Sequence, residues 1–441
     1  MKSFLPHPLL LVLPLLAACA VPGIDSGTDD DFVDLFNGKD LTGWVNVNCA
    51  DDTWTVRDGM IVCNGKPTGV MRTERMYRNF IAEFEYKHMT TGGNAGFFVW
   101  SDPIPAQGVP FTRSIEIQVI DGWETENWTS HGDVFAIHGA TLHPDRAHPA
   151  GWERCLPSER RANGTGEWNH FRITAIDGTI KLAVNGKVVS GGFDIRPRLG
   201  YLCLESEGAE VYFRNLKIRE LPAEMRLGDD FTANQARGFT SLYNGRDLSG
   251  WDVKPEHENH WKSEDWRLTY DGKSSDLWSL KEYGDFEMIV DWRWTGESKE
   301  VELPVVLADG SVQLDNRGQE VKQLVQEAGD SGIYLRGSSK SQVNIWCWPI
   351  GSGEVYGYRT DSSMPEEVRA GVTPSENADA PLGEWNRFYI TMVGDRLTVV
   401  LNGKTVIRGA QLPGVDLRGK IGLQNHGAPL EFANLFIREL D

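Results

Sequence analysis

Basic residues are in short supply: 44 Lys and Arg stand against 63 Asp and Glu, a formal net charge of −19 spread along the chain. Such a surface repels phosphate groups, which excludes nucleic acid and anionic lipid headgroups as partners and favours a neutral ligand. Cysteine is scarce as well. Of the 6 present, Cys19 directly follows the leader, and Cys49, Cys63, Cys155, Cys203 and Cys347 are an odd set with no zinc-ligand spacing. Cys49 and Cys63 flank an expected hairpin and either pair in an oxidising compartment or stay as buried thiols. No apolar run is long enough to span a bilayer, and no uninterrupted helical periodicity of useful length occurs; Pro365 to Ala370 is expected as one short helix. A contiguous acidic loop of the calcium-binding kind is missing too, so a divalent cation, calcium or another, stays open as a cofactor and no ligand set is assigned.

What is present begins with an address. Lys2 precedes an apolar run from Leu9 to Leu16, the length of a signal-peptide core. Leu16-Ala17-Ala18-Cys19 resembles a bacterial lipobox, which makes Cys19 the expected lipidated residue and the lipid anchor to the cell envelope; the alternative is an ordinary secretory signal cleaved nearby. Residues 1–18 read as the signal peptide and 19–30 as a polar tether. At 441 residues, with 47 Gly, 21 Pro and 16 Trp, the remainder suggests turn-rich β structure in more than one domain.

The chain repeats itself. F-V-D-L-F-N-G-K-D-L-T-G-W from Phe32 returns as F-T-S-L-Y-N-G-R-D-L-S-G-W from Phe239. Gly166-Glu167-Trp168-Asn169 returns as Gly383-Glu384-Trp385-Asn386, Asn185-Gly186-Lys187 as Asn402-Gly403-Lys404, and F-R-N-L-K-I-R-E-L from Phe213 as F-A-N-L-F-I-R-E-L from Phe432. A long-period repeat of this kind means two homologous domains, 31–221 and 238–441, joined by a linker over 222–237. The largest insertion falls near Glu297 to Glu327 in the second copy. Asp177-Gly178 and Asn185-Gly186 sit between alternating runs and predict two-residue hairpins. Many short strands per copy imply an all-β chain of two antiparallel sandwiches of the jelly-roll type.

The stretch with the most chemistry is Ser114 to Asp121, S-I-E-I-Q-V-I-D. Period-two geometry puts Ile115, Ile117 and Val119 on one face and Glu116 with Gln118 on the other, with Asp121 at the strand end. Glu205 and Glu207 share a face in the same way. The plain alternative is a solvated outer strand face. In the second copy the matching stretch is S-Q-V-N-I-W-C-W, so Gln342, Asn344, Trp346 and Trp348 share the face where Glu116 and Gln118 stood.

Taken together, N-G-x-D-L-x-G-W, the E-x-Q-x-x-D strand, G-E-W-N, the N-G-K hairpin and the closing F-x-N-[IL] resemble the 3-keto-disaccharide hydrolase family, over nearly all of both copies. The resemblance implies a concanavalin-like jelly roll, an exported location and action on sugars oxidised at C3. In such a sugar the carbonyl acidifies the C2 proton, so a base can remove it while the C1 substituent departs. Glu116 or Asp121 is then a candidate base, Gln118 an oxygen-positioning group, and His138 and Glu207 candidates for proton transfer. His131, Trp123 and Glu205 are candidates for substrate contact in the first copy, and Trp100 and Trp128 for stacking. In the second copy the candidates are Arg336, Asn344, Trp346, Glu354, Tyr356, Gln424 and His426. G-E-W-N and N-G-K read as structural turns, and Asn94-Ala95-Gly96 with Asp330-Ser331-Gly332 as tight turns. The alternatives are a protein that binds carbohydrate without cleaving it and a surface scaffold.

Overall fold

The computed structural model describes residues 31–121, 132–149, 151, 153–223, 226–234 and 238–440. The expected signal peptide and tether, with Cys19, and also Trp123, Trp128 and His131 lie outside the described residues. Among those described, every strand ladder is antiparallel, and each copy forms two main sheets. In the first copy a nine-stranded sheet faces a seven-stranded one; in the second, an eight-stranded sheet faces a four-stranded one. Alternation explains the stacking. On Asn169–Ile176 every second residue, Phe171, Ile173 and Ala175, is buried while the partners between them are half-exposed. Phe84 of the large sheet stacks on Phe97 of the smaller one with centroids 4.7 Å apart, so the two inner faces close one core.

The hairpins form as expected. Asp177 and Gly178 have φ of 45° and 81°, and Asn185 and Gly186 of 45° and 86°, the positive values that two-residue turns require. Asn185 also ties its turn to the G-E-W-N segment, because its Nδ2 donates to Asn169 Oδ1 at 3.0 Å; Asn402 and Asn386 repeat the bond at 2.7 Å. Both motifs are therefore structural. The short helix is Glu366–Gly371, led by Pro365. Two expectations are corrected. Asn94-Ala95-Gly96 and Asp330-Ser331-Gly332 are not turns but the starts of strands Asn94–Ser101 and Asp330–Leu335. Cys49 and Cys63 are unpaired buried thiols, pushed up in pKa by burial, so the disulfide alternative falls.

The domains are docked on each other. The loop from Pro103 to Phe111 leaves the first domain and meets the outer face of the second domain's large sheet. There Asp291, fully buried, accepts from Gly108 N at 2.8 Å, from Asn434 Nδ2 at 2.7 Å and from Arg387 Nε at 2.6 Å. An apolar cluster of Val47, Val70, Phe98, Ile104, Cys203, Ile289 and Phe436 bridges the two domains beside this loop. The insertion of the second copy forms a separate hairpin, Lys299–Pro304 with Lys322–Glu327.

Candidate active site

Three neighbouring strands of the seven-stranded sheet carry the site: Ser114–Ile120, Asn94–Ser101 and Tyr201–Ser206. Their inner faces bury Ile117, Phe97 and Leu204 in the core. Their other faces bring Glu116, Gln118, Asn94, Glu205 and, just past the strand end, Glu207 together. The row is not a solvated face: Glu116 and Gln118 are each 6% exposed and Glu205 is 1% exposed. The middle strand makes room for it. Gly96 pairs with Gln118 across the ladder, and a Cβ there would stand 2.7 Å from Glu205 Oε2 and 3.1 Å from Glu116 Oε1. Only a glycine lets the two carboxyl groups approach over that strand.

Burial without a counter-charge for each group governs the protonation. Glu116 is pushed up to about 8, first by burial and then by the charge of Glu207, against the opposing pull of Arg154. Glu205 is held well above the usual carboxylate range by burial and by the neighbouring Glu116 and Glu207. Glu207 is raised by burial, while hydrogen bonds from Glu205 and Asn94 pull it back toward the ionised form. A relay fixes the last of these. Gln118 Nε2 donates to Asn94 Oδ1 at 2.8 Å, which turns the Asn94 amide so that its Nδ2 donates to Glu207. Beside the cluster, Arg154 and fully buried Asp133 form an ion pair, and Asp133 O accepts from Gln118 N at 3.0 Å. An open cleft of about 440 Å³ between the domains is lined by Gly208, the residue after Glu207, and by Thr68, Arg246 and Asp265. The Asp265 carboxylate adds to the upward shift of Glu207.

The second domain repeats this layout with different chemistry. Gly332 pairs with Asn344 as Gly96 pairs with Gln118, and Gln342 Nε2 donates to Gln424 Oε1 at 2.5 Å where Glu116 and Glu205 converge in the first domain. The ion pair recurs as Arg359 with Glu354, and Glu354 O accepts from Asn344 N at 2.9 Å. At the mouth, His426 Nδ1 lies 3.5 Å from Asp330 Oδ2, in the places of Glu207 and Asn94; burial pushes Asp330 up to about 6.

Several expected residues lie elsewhere. Asp121 falls on the opposite face from Glu116, where Thr165 donates to it and Gly92 N donates at 3.3 Å. His138 stacks on Phe111 at 6.2 Å, past the Ser114 end of the strand and away from the carboxyl groups. Trp100 is fully buried and donates to Arg78 O. Arg336 is a staple at the far end of its domain, bonded to Asp285 and to the carbonyls of Gly284, Gly394 and Asp416. Glu354 is spent on Arg359, and Tyr356 is exposed beside Trp346. Asn94, Gly96 and Asp330 were legible only as turn residues whose polar side chain could aim into the concave face, and Asp133 and Arg154 carried no signal. The repeat held a signal for Asp330, which stands where the first copy has Asn94; nothing in the sequence ties Arg154 to Glu116. Among the described residues no group of three or more His, Cys, Asp or Glu side chains is arranged to hold a metal ion.

Comparison with known proteins gives the context. A family model described as the 3-keto-alpha-glucoside-1,2-lyase-like domain matches twice, over residues 31–219 and 238–438. No curated protein matches. Among solved structures, a candidate glycosyl hydrolase from Parabacteroides distasonis is 25% identical, with 44% of this chain and 95% of that one covered and a TM-score of 0.34. The carbohydrate-binding module CBM66 of Bacillus subtilis is 12% identical, with 41% and 96% covered and a TM-score of 0.30. A β-glucanase of Bacillus licheniformis is 14% identical, with 43% and 97% covered and a TM-score of 0.28. The family matches cover most of both sandwiches, and the chain belongs, twice over, to the 3-keto-alpha-glucoside-1,2-lyase-like domain family.

Proposed function

We propose that the first domain cleaves 3-keto-glycosides, 3-keto-disaccharides included, by removing the C2 proton and expelling the C1 substituent, with water then adding to give net hydrolysis. The observation that carries this reading is the carboxyl cluster of Glu116, Glu205 and Glu207. Burial keeps the first two neutral near pH 7; it raises Glu207 at the mouth as well, but there hydrogen bonds with Glu205 and Asn94 oppose the shift and favour the carboxylate. Family membership supports a glycoside-cleaving activity in general.

In this scheme the Glu207 carboxylate takes the C2 proton, and the electron pair of that C–H bond becomes the C2=C3 bond of an enolate. Collapse of the enolate restores the C3 ketone, forms C1=C2 and breaks the C1–O bond. The departing oxygen takes its proton from a neutral carboxyl, Glu116 or Glu205. Water then adds its oxygen to C1 and a proton to C2. A base and two acids a few ångströms apart suit this sequence, because their shared burial drives their protonation states apart. Gln118 acts through Asn94 and is a positioning residue.

Release of the leaving group from a 3-keto-glucoside, with and without added divalent cation, tests the proposal. Glu207→Gln is expected to lower kcat by about 10²-fold or more. Absence of release by the parent protein in both conditions, or an unchanged rate in Glu207→Gln, overturns it. For the second domain, the neutral Gln342–Gln424 pair favours carbohydrate binding without cleavage.

A further inference from the structure

A second cavity lies in the other domain, next to its mouth pair, since Trp346 in its wall is the cross-strand partner of Asp330. It is a cleft of about 410 Å³ at the sandwich rim, and the inserted hairpin supplies one wall through Gln323. Four tryptophans build the rest: Trp292 and Trp294 meet edge-on at 6.0 Å, while Trp346 and Trp348 stack at 4.4 Å with planes 7° apart. Trp346 is 3% exposed and locked by a 2.7 Å bond from its Nε1 to Gly351 O, so half-exposed Trp348 rests on a rigid support. That is the construction of a flat platform.

Two polar atoms in the cleft wall are left over. Trp292 is 1% exposed, and its Nε1 donor has no hydrogen-bond partner among the described residues. Asp379 Oδ2 accepts from Ser352 N at 2.8 Å, but its buried Oδ1 has no hydrogen-bond partner among the described residues. Both residues line the cleft, and a buried donor and a buried acceptor just beneath its wall are costly unless a ligand draws them out. An apolar ligand would leave both unpaired. An anionic one finds no Lys or Arg in the wall among the described residues, and meets Asp379 instead. A ring with apolar faces and hydroxyls at its edge satisfies the platform, the donor and the acceptor together.

We propose that this cleft is a non-catalytic subsite for one ring of a neutral sugar, stacked against Trp348 with its hydroxyls bonded to Trp292 Nε1 and Asp379 Oδ1. The hairpin that walls it belongs to the insertion of the second copy, so the repeat has converted one sandwich into a holder beside the other. This inference does not require turnover in the first domain.

Calorimetric titration of the full chain with methyl α-D-glucopyranoside, maltose and cellobiose tests it. At least one is expected to bind saturably, and about tenfold more weakly in Trp348→Ala. Trp278→Ala is the control for the other aromatic platform of this domain, where Trp278 stacks on Tyr334 at 5.2 Å, and is expected to bind as the parent does. Thermal melting checks each variant; if Trp348→Ala does not fold, Gln323→Ala on the exposed rim takes its place, with a loss of about threefold expected. No saturable binding of any of the three sugars overturns the proposal. So does full affinity in the folded cleft variant, or loss of binding in Trp278→Ala. Turnover of a 3-keto-glucoside, measured alongside, reports on the carboxyl cluster alone.

Discussion

At the scale of single residues, the protonation of Glu116 links the site to stability. Its carboxyl is pushed up to about 8 in the folded protein, against an ordinary value of 4.5. Between those two pH values the unfolded chain loses a proton that the folded one keeps, so folded stability falls as pH rises from about 4.5 to about 8 and levels off above. Glu116→Gln cannot ionise and removes that slope. Chemical denaturation should show the variant more stable than the parent at pH 8 by on the order of 2–4 kcal/mol, with the gap closing toward pH 5. A parallel pH dependence in both proteins would mean Glu116 ionises freely. The second domain already carries this solution in Gln342 and Gln424, an amide pair that holds the same geometry without charge. Asp121 teaches the reverse lesson. It stands an odd number of positions from Glu116, and strand parity alone places it on the other face.

At the scale of elements, the Asn94–Ser101 strand decides whether the carboxyl groups meet. Gly96→Ala would push a methyl against Glu205 Oε2 at 2.7 Å and Phe98 at 2.9 Å, both in tightly packed surroundings. The expected result is a stability loss of about 1–3 kcal/mol and at least a tenfold drop in kcat/KM for 3-keto-glucoside cleavage. Gly332→Ala makes the matching change in the second domain, 2.2 Å from Gln342 Nε2, and should leave turnover unchanged. Equal losses of turnover from both variants would show that the two domains share the chemistry.

At the scale of the whole molecule, the second domain buttresses the first. Asp291 gathers Gly108 N, Arg387 and Asn434, and Arg387 Nη2 reaches on to Pro105 O at 3.1 Å. Ile104 and Phe111 of the docked loop pack with Phe98, the cross-strand partner of Glu116. Asp291→Ala would leave the half-buried Arg387 guanidinium and the Gly108 and Asn434 donors without their acceptor, at a cost of about 1–3 kcal/mol. Differential scanning calorimetry should then separate the melting of the two domains, and loop 103–111 should become sensitive to protease. A single cooperative transition at the parent temperature would show that Asp291 does not hold the domains together. In the first domain the corresponding outer patch, with Arg214 and Asn215 bonded to Glu85, carries no such loop among the described residues.

The tandem repeat, the hairpins with their Asn-Gly and Asp-Gly turns, the sandwich class and the Glu116–Gln118 face were legible in the sequence. All depend on neighbours a few positions apart or on comparing one copy with the other. The approach of Glu205 to Glu116 over Gly96, the Arg154–Asp133 pair, the staple role of Arg336 and the Trp292–Asp379 cleft were not. Each joins residues from strands far apart in the chain, and strand order and register are set by how two sheets close one core rather than by any local pattern. Local periodicity thus determined which faces carry charge, and tertiary packing alone decided which of those charges are buried together and must share their protons.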